Sequence, residues 1–157
     1  MPGWARACAT ALWLGVVGSA AAAEVSCLKC HDKISQQFGP SAHAQAGLTC
    51  VDCHGGDPKA TDESAHVTDN FKRPENKQQI AESCAQCHAD ARRMNPYGLP
   101  IDQLERYKTS KHGEQLFEHN DQKVATCTDC HGVHDILKAK SPQARTYAAN
   151  IPATCGR

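Results

Sequence analysis

Apolar residues are concentrated at the start of the chain and are sparse after it. Residues 7–18 form an apolar run, with Arg6 before it and Ser19 and four alanines after it. A basic residue, a short apolar run and a small-residue ending are typical of a secretory signal peptide. A transmembrane anchor is the alternative, although the run is short for a membrane span. We therefore expect residues 1–23 to be a signal peptide that directs the chain to the periplasm.

Beyond residue 23 the apolar pattern predicts short helices. Residues 74–83 start with a proline, as helices often do, and lead into a cysteine motif. A second helix is expected over residues 102–112, where Asp102 and Glu105 resemble a capping box and Gly113 could interrupt the segment. No segment alternates in the manner of a β-strand. The expected fold is mainly α with extensive loops and little or no β-sheet.

The composition leaves too little material for an ordinary core. Only 19 of the 134 residues after position 23 are Leu, Ile, Val or Phe. Chains this poor in core-forming residues do not normally build a conventional globular enzyme. No stretch after residue 23 is apolar for the roughly 18 residues that a transmembrane helix needs, which excludes a polytopic membrane protein within this chain. We expect something other than side chains to fill the centre.

The cysteines indicate what fills the centre of the protein. Eight of the nine cysteines after residue 23 form pairs separated by two residues, and a histidine follows each pair at once. The four motifs are Cys27-Leu28-Lys29-Cys30-His31, Cys50-Val51-Asp52-Cys53-His54, Cys84-Ala85-Gln86-Cys87-His88 and Cys127-Thr128-Asp129-Cys130-His131. This is the attachment signature of haem c, in which two thiols bond the porphyrin and the histidine becomes an axial ligand of the iron.

Two other readings of the cysteines stay open. The interval from Cys30 to Cys50 fits a four-cysteine zinc site. Zinc does not require a histidine after every second cysteine, however, and a zinc-stabilised binding module would be colourless. Disulfides between the pairs are the other alternative, because exported chains often carry them. We favour four haem c groups, with the polypeptide wrapped around them within a radius of gyration of roughly 14 Å.

Each iron has room for a second axial ligand. Five histidines lie outside the motifs, and Met94 is the one methionine after residue 23. We expect two histidines on each iron, which gives low reduction potentials. The expected distal ligands are His43, His66, His112 and His134, with His119 and Met94 in reserve.

The motifs form an internal repeat of two-haem units. The first repeat covers residues 27–66 and the second residues 84–134, each with the order motif, Ser-x-His, motif, Gly. Cys155 resembles the opening of a further motif that is cut short. We therefore expect a third unit that begins at Cys155 and a fifth haem there, which makes this chain the N-terminal part of a longer cytochrome.

The four motifs resemble those of multihaem c-type cytochromes of bacterial respiration, of the class III and doubled-motif kinds. The segments 107–113 and 130–134 strengthen the resemblance. It implies a periplasmic electron carrier between a quinol-linked donor and a terminal reductase. Some longer relatives carry a membrane cytochrome b portion downstream, so membrane association through missing sequence or through a quinol-oxidising partner is also implied.

Charge bears on the partners and on the alternative function. Lys and Arg number 17 and Asp and Glu 17, with no basic patch for nucleic acid. Haem propionates would make the loaded protein acidic, so we expect redox partners with a basic docking face. The alternative is a reductase of a small oxyanion or nitrogen oxide with one open iron, at which Arg92, Arg93 or Lys111 would hold the substrate.

Overall fold

The computed structural model describes residues 26–156, so the expected signal peptide lies outside the described residues. Short helices and loops alternate along this part of the chain. In chain order the α-helices are α1 Asp32–Phe38, α2 Ala42–Gln45, α3 Cys50–His54, α4 Lys77–His88, α5 Ala91–Met94, α6 Gln103–Lys108, α7 Lys111–Phe117, α8 Cys127–His131 and α9 Ile151–Cys155. Turns of 3₁₀ helix cover Ser26–Lys29, Glu63–His66, Asn95–Tyr97 and Ala148–Asn150.

The expected fold class is confirmed. Residues 26–156 contain helices, turns and loops and no strand. In the same range no helix combines the length and the apolar character that crossing a membrane would require.

Helix α4 is the centre of the helical packing. It contacts α5, α6, α7 and α8. The Asn76 side chain caps its first turn by accepting a hydrogen bond from the Gln79 N–H at 2.9 Å. The helix continues without a break to His88, so it begins after Pro74 and extends past the predicted residues 74–83 to include the third motif.

The prediction of a capping box at the start of α6 is wrong. The Asp102 side chain makes no capping hydrogen bond and instead accepts one from Nε of Arg106 at 2.6 Å. The ion pair one turn along the helix therefore takes the carboxylate that the cap would have used.

The helix predicted over residues 102–112 is interrupted between α6 and α7, at residues 109–110, and not at Gly113. Ser110 caps α7, since its hydroxyl accepts from the Gly113 N–H at 3.2 Å and donates to the Tyr107 carbonyl at 2.6 Å. Gly113 lies inside α7, where an added Cβ would collide with the Tyr107 carbonyl and with Cα of Lys108. The glycine is needed for this close approach of the two helices.

Few side chains are buried. Across the described residues the buried apolar side chains are Ala81, Met94, Leu116 and Ala144. Leu116 is 0 % exposed, whereas Val67 is 81 % exposed and Val133 57 %. The polypeptide alone therefore has no core of ordinary size, in line with its composition.

Leu116→Ala should lower the free energy of unfolding by about 2–5 kcal/mol, because it leaves a cavity among α4, α6 and α7. Leu99→Ala is the matched control, since Leu99 is 43 % exposed, and should change the free energy by less than about 0.5 kcal/mol. Denaturant unfolding of the purified protein followed by circular dichroism measures both. Equal effects of the two substitutions would contradict the position of Leu116.

Candidate functional site

The four motifs lie on helical turns. Helices α3 and α8 coincide with the second and fourth motifs, the third motif ends α4, and the first begins in the 3₁₀ turn that precedes α1. In a helix, residues three and four positions apart lie on one face. The two thiols and the imidazole of a motif are therefore presented together on one side of a short turn.

Helices α3 and α8 are capped by their own motif residues. The Asp52 carboxylate accepts from the Thr49 N–H at 2.7 Å and from the Thr49 hydroxyl at 2.9 Å. In the equivalent position the Asp129 carboxylate accepts from the Thr126 N–H at 2.8 Å. The Thr-x-x-Asp pattern is a capping signal in the sequence itself, and it stabilises five-residue helices that would otherwise be marginal.

A glycine follows each of these two helices for a steric reason. Gly55 has φ 65° and Gly132 has φ 93°, a region that side chains rarely adopt. An added Cβ would also collide with the Asn70 carbonyl at Gly55 and with the Asp135 carboxylate at Gly132. The chain can therefore fold back close to each motif.

The cysteines of the described chain are free. All nine thiols from Cys27 to Cys155 are partly or fully exposed and none forms a disulfide. Within residues 26–156 the one cluster of three potential metal ligands is Glu114, Glu118 and His119, which contains no cysteine. Free and accessible thiols are what the covalent attachment of haem c would use.

Three pairs of histidine rings lie at nearly the same separation. The ring centroids are 6.1 Å apart for His31–His66, 6.1 Å for His43–His88 and 6.2 Å for His54–His134. Each pair joins one motif histidine to one histidine from outside the motifs. A metal between two imidazoles bonds each nitrogen at about 2.0 Å, which places the ring centroids roughly 6 Å apart. The three separations therefore fit pairs of axial ligands on one iron.

Burial favours the neutral form of several of these imidazoles. It lowers the pKa of His88, and burial together with the neighbouring His88 lowers the pKa of His43. Burial and the nearby His54 likewise lower the pKa of His134, against a smaller opposing effect of Asp135. Only the neutral imidazole binds a metal, so these shifts favour ligation.

The second motif histidine is oriented by the backbone. Nδ1 of His54 lies 3.2 Å from the Lys72 carbonyl oxygen, to which a protonated Nδ1 donates. The Lys72 N–H in turn donates to the His54 carbonyl at 2.7 Å. A hydrogen bond at one ring nitrogen fixes the ring and leaves the other nitrogen for a metal.

The fourth motif histidine has a different environment. Burial, with a contribution from His88, lowers the pKa of His131, but within residues 26–156 no second histidine ring pairs with it. His112 and His119 are exposed, at the start and just beyond the end of α7. Met94 is buried at the end of α5. The structure therefore brings three of the four expected distal ligands to a motif histidine, and His112 to none.

Consecutive motifs approach one another through their cysteines. A hydrogen bond between the Cys84 and Cys127 thiols raises the pKa of Cys84 and lowers that of Cys127. Burial and the proximity of Cys27 raise the pKa of Cys50. Burial raises the pKa of Cys53 with Cys87 nearby, and that of Cys130 with Cys155 nearby. The motifs thus neighbour one another in the order of the sequence.

Residues 35–95 match the family model of cytochrome c552. This family is one of multihaem c-type cytochromes. The matched stretch includes the second and third motifs, together with His43 and His66. No curated protein and no solved structure matches the chain.

The donor set of the motifs fits haem c, the covalently bound cofactor that the family match implies. Each motif offers two free thiols and an imidazole on one helical turn. Three motif imidazoles also face a second imidazole at the separation that one iron requires. The pairing of motif histidines with histidines from outside the motifs is not encoded in the motifs themselves.

Several residues that shape the site were missed from the sequence. The Lys72 carbonyl has no sequence signal, because every residue carries one. The ion pair of Arg145 with Asp135, at 2.7 Å, joins residues ten positions apart in a loop and follows no local pattern. The capping role of Asp52 and Asp129 had a signal, since each stands three residues after a threonine.

Lys77 connects α4 to the fourth motif. Its Nζ donates to the Val124 carbonyl at 2.7 Å and to the Asp129 carboxylate at 2.9 Å. Burial alone would raise the pKa of Asp129, but hydrogen bonds from Lys77 and the Thr126 N–H, with the Lys77 charge, hold it below its ordinary value of 3.8.

Lys77→Gln should therefore lower the free energy of unfolding at pH 7 by about 0.5–1 kcal/mol, since the pair is partly exposed. A lowered folded pKa stabilises the fold above the ordinary pKa, and this contribution is lost as the pH falls through the folded value. The difference from wild type should accordingly shrink below pH 3.8. Denaturant unfolding of both proteins at pH 7 and below pH 3.8 measures this difference in the free energy of unfolding.

The control for this prediction is Lys111→Gln. Lys111 pairs with Glu114 at 3.0 Å inside α7 and joins no second element. Its loss should cost less than that of Lys77 at pH 7. A Lys77 effect that stayed constant through the acid range would show that Asp129 is not the partner.

Proposed function

We propose that the cytochrome is a periplasmic electron carrier that holds four haem c groups, one at each motif. The three histidine pairs carry this proposal, because two protein imidazoles on one iron leave no position for a substrate. The family match supports c-type haem electron transfer. The proposed count rests on the four motifs, and export rests on the character of residues 1–23.

The haem iron supplies one-electron redox chemistry, and the polypeptide sets its surroundings. A pair of imidazoles suits both valences of the iron, so little rearrangement accompanies each electron. Histidine in place of methionine as an axial ligand lowers the reduction potential. The hydrogen bond between His54 and the Lys72 carbonyl acts in the same direction, since it makes the imidazole a stronger donor.

Contacts between consecutive motifs support transfer along the chain. The Cys84 and Cys127 thiols share a hydrogen bond, and Cys50 lies near Cys27 and Cys53 near Cys87. Each thiol would bond the edge of its own porphyrin. Neighbouring thiols from consecutive motifs therefore bring the edges of consecutive haems together, which favours electron hopping in sequence order.

The proposed partners are a quinol-linked donor and a terminal reductase. The chain itself has no net charge, and the propionates of four haems would make it acidic. A partner with a basic docking face fits such a surface, and salt should weaken its association. Membrane association would come through further sequence or through a quinol-oxidising partner.

Cys155 lies near Cys130 and is the proposed start of a fifth haem site.

The fourth motif favours one alternative, a reductase of a small oxyanion or nitrogen oxide. His131 has no paired ring within the described range, so its iron is the candidate for an open position. Of the cations expected to hold a substrate, Arg93 contacts the Cys87 sulfur of the third motif at 3.2 Å and Lys111 pairs with Glu114. Arg145 lies beside the fourth motif, because its guanidinium would be 3.5 Å from a Cβ at Gly132.

Visible spectra of the mature protein test both functions. A pyridine haemochrome assay should give about four haems per chain, and six-coordinate reduced bands that carbon monoxide does not shift would support the carrier and exclude the reductase. A carbon monoxide shift at one iron would favour the reductase. A protein without a Soret band would contradict both.

His66→Ala sharpens this test. The substitution should add one iron that binds carbon monoxide to the wild-type number, since it removes the ring opposite His31. His119→Ala is the matched control, because His119 is exposed and faces no motif histidine, and it should add none. Equal spectra for the two variants would contradict the assignment of His66.

A further inference from the structure

The histidine pairs do not follow the boundaries of the repeats. His31 and His66 both belong to the first repeat, residues 27–66. His43 of the first repeat faces His88 of the second, and His134 of the second faces His54 of the first. We propose that the two repeats exchange distal ligands, so that His43 completes the third haem and His134 completes the second. This inference rests on the proposed function, since it presupposes the haems.

A main-chain hydrogen bond joins the two segments that carry the exchanged histidines. The Ala42 N–H, one residue before His43, donates to the Ile136 carbonyl, two residues after His134, at 2.7 Å. This bond links α2 to the loop after α8 across the two repeats. The positions of the two distal histidines are therefore coupled.

Each exchanged histidine is also fixed from its own side. Ser41 is 0 % exposed and its hydroxyl accepts from the Ala44 N–H at 3.1 Å, which caps the single turn that presents His43. Near His134, the Asp135 carboxylate accepts from the Val133 N–H at 3.2 Å and pairs with Arg145 at 2.7 Å. The backbone segments that carry both histidines are thus held by contacts that involve no metal.

The equivalent histidine of the second repeat shows that the local motif does not determine the partner. Ser110 caps α7 as Ser41 caps α2, and His112 follows it as His43 follows Ser41. His112 is nevertheless exposed and, within residues 26–156, forms no ring pair with a motif histidine. The α2 segment additionally binds residue 136 through the hydrogen bond from the Ala42 N–H to the Ile136 carbonyl.

Carbon monoxide binding by the full-length mature protein tests the exchange through pairs of substitutions. His43→Ala should add one carbon monoxide-binding iron to the wild-type number. In a background without the third haem, made by Cys84→Ala and Cys87→Ala, it should add none. In a background without the second haem, made by Cys50→Ala and Cys53→Ala, it should still add one.

The reciprocal result is expected for His134→Ala. Its new binding iron should disappear without the second haem and persist without the third. His119→Ala should add no binding iron in any background. A His43 site that survived loss of the third haem, or a His134 site that survived loss of the second, would overturn the exchange. Failure of the proposed function is distinguishable, since the wild type would then lack haem or would itself bind carbon monoxide before any substitution.

Methionine variants test the same ligand assignments if an alanine variant does not acquire its haems. His43→Met and His134→Met each retain a sixth ligand but exchange nitrogen for sulfur, which raises the potential of the affected iron. Each should shift one haem upward in a redox titration, and removal of the third haem should abolish the His43→Met shift only. A shift that persisted would overturn the proposal.

Discussion

Facing pairs of imidazoles, bridged by haem iron, would take the place that a hydrophobic core has in most small domains. Leu116 is the one large aliphatic side chain that is fully buried in the described chain, and a single such residue cannot hold together helices of four to twelve residues. Ring pairs about 6 Å apart connect segments that are distant in sequence. With covalent haems between them, these pairs would cross-link the chain from within, and the apolar porphyrins would bury the half-exposed side chains around them.

The sequence was informative wherever structure depends on local spacing. Two cysteines and a histidine within five residues predicted the cofactor class. The lack of alternating segments predicted a fold without strands, and the helix that leads into the third motif was predicted from its proline. Such features depend on contacts within one or two turns, which the sequence states directly.

Other features depend on tertiary contacts and had no local signal. His43 and His112 follow the same Ser-x-His pattern with the same serine cap, yet of these two described residues His43 alone faces a motif histidine. Asp102 and Glu105 had the spacing of a capping box, but Arg106 competes for the carboxylate. The pairing of proximal and distal histidines is likewise a property of the whole fold, since residues 80 positions apart meet in one pair.

The proposed exchange of histidines would have a consequence for assembly during the proposed export. A chain that crossed a membrane N-terminus first would deliver His43 before its motif partner His88, so the third haem would gain both ligands as soon as it was attached. His134 would emerge 80 residues after His54, so the second haem would wait with one protein ligand until nearly the whole chain had crossed. Translocation speed would then set how long that iron stays open to foreign ligands and to oxidation. Slow export would leave the iron of the second haem open to foreign ligands for longer, whereas the third haem would already have both of its ligands.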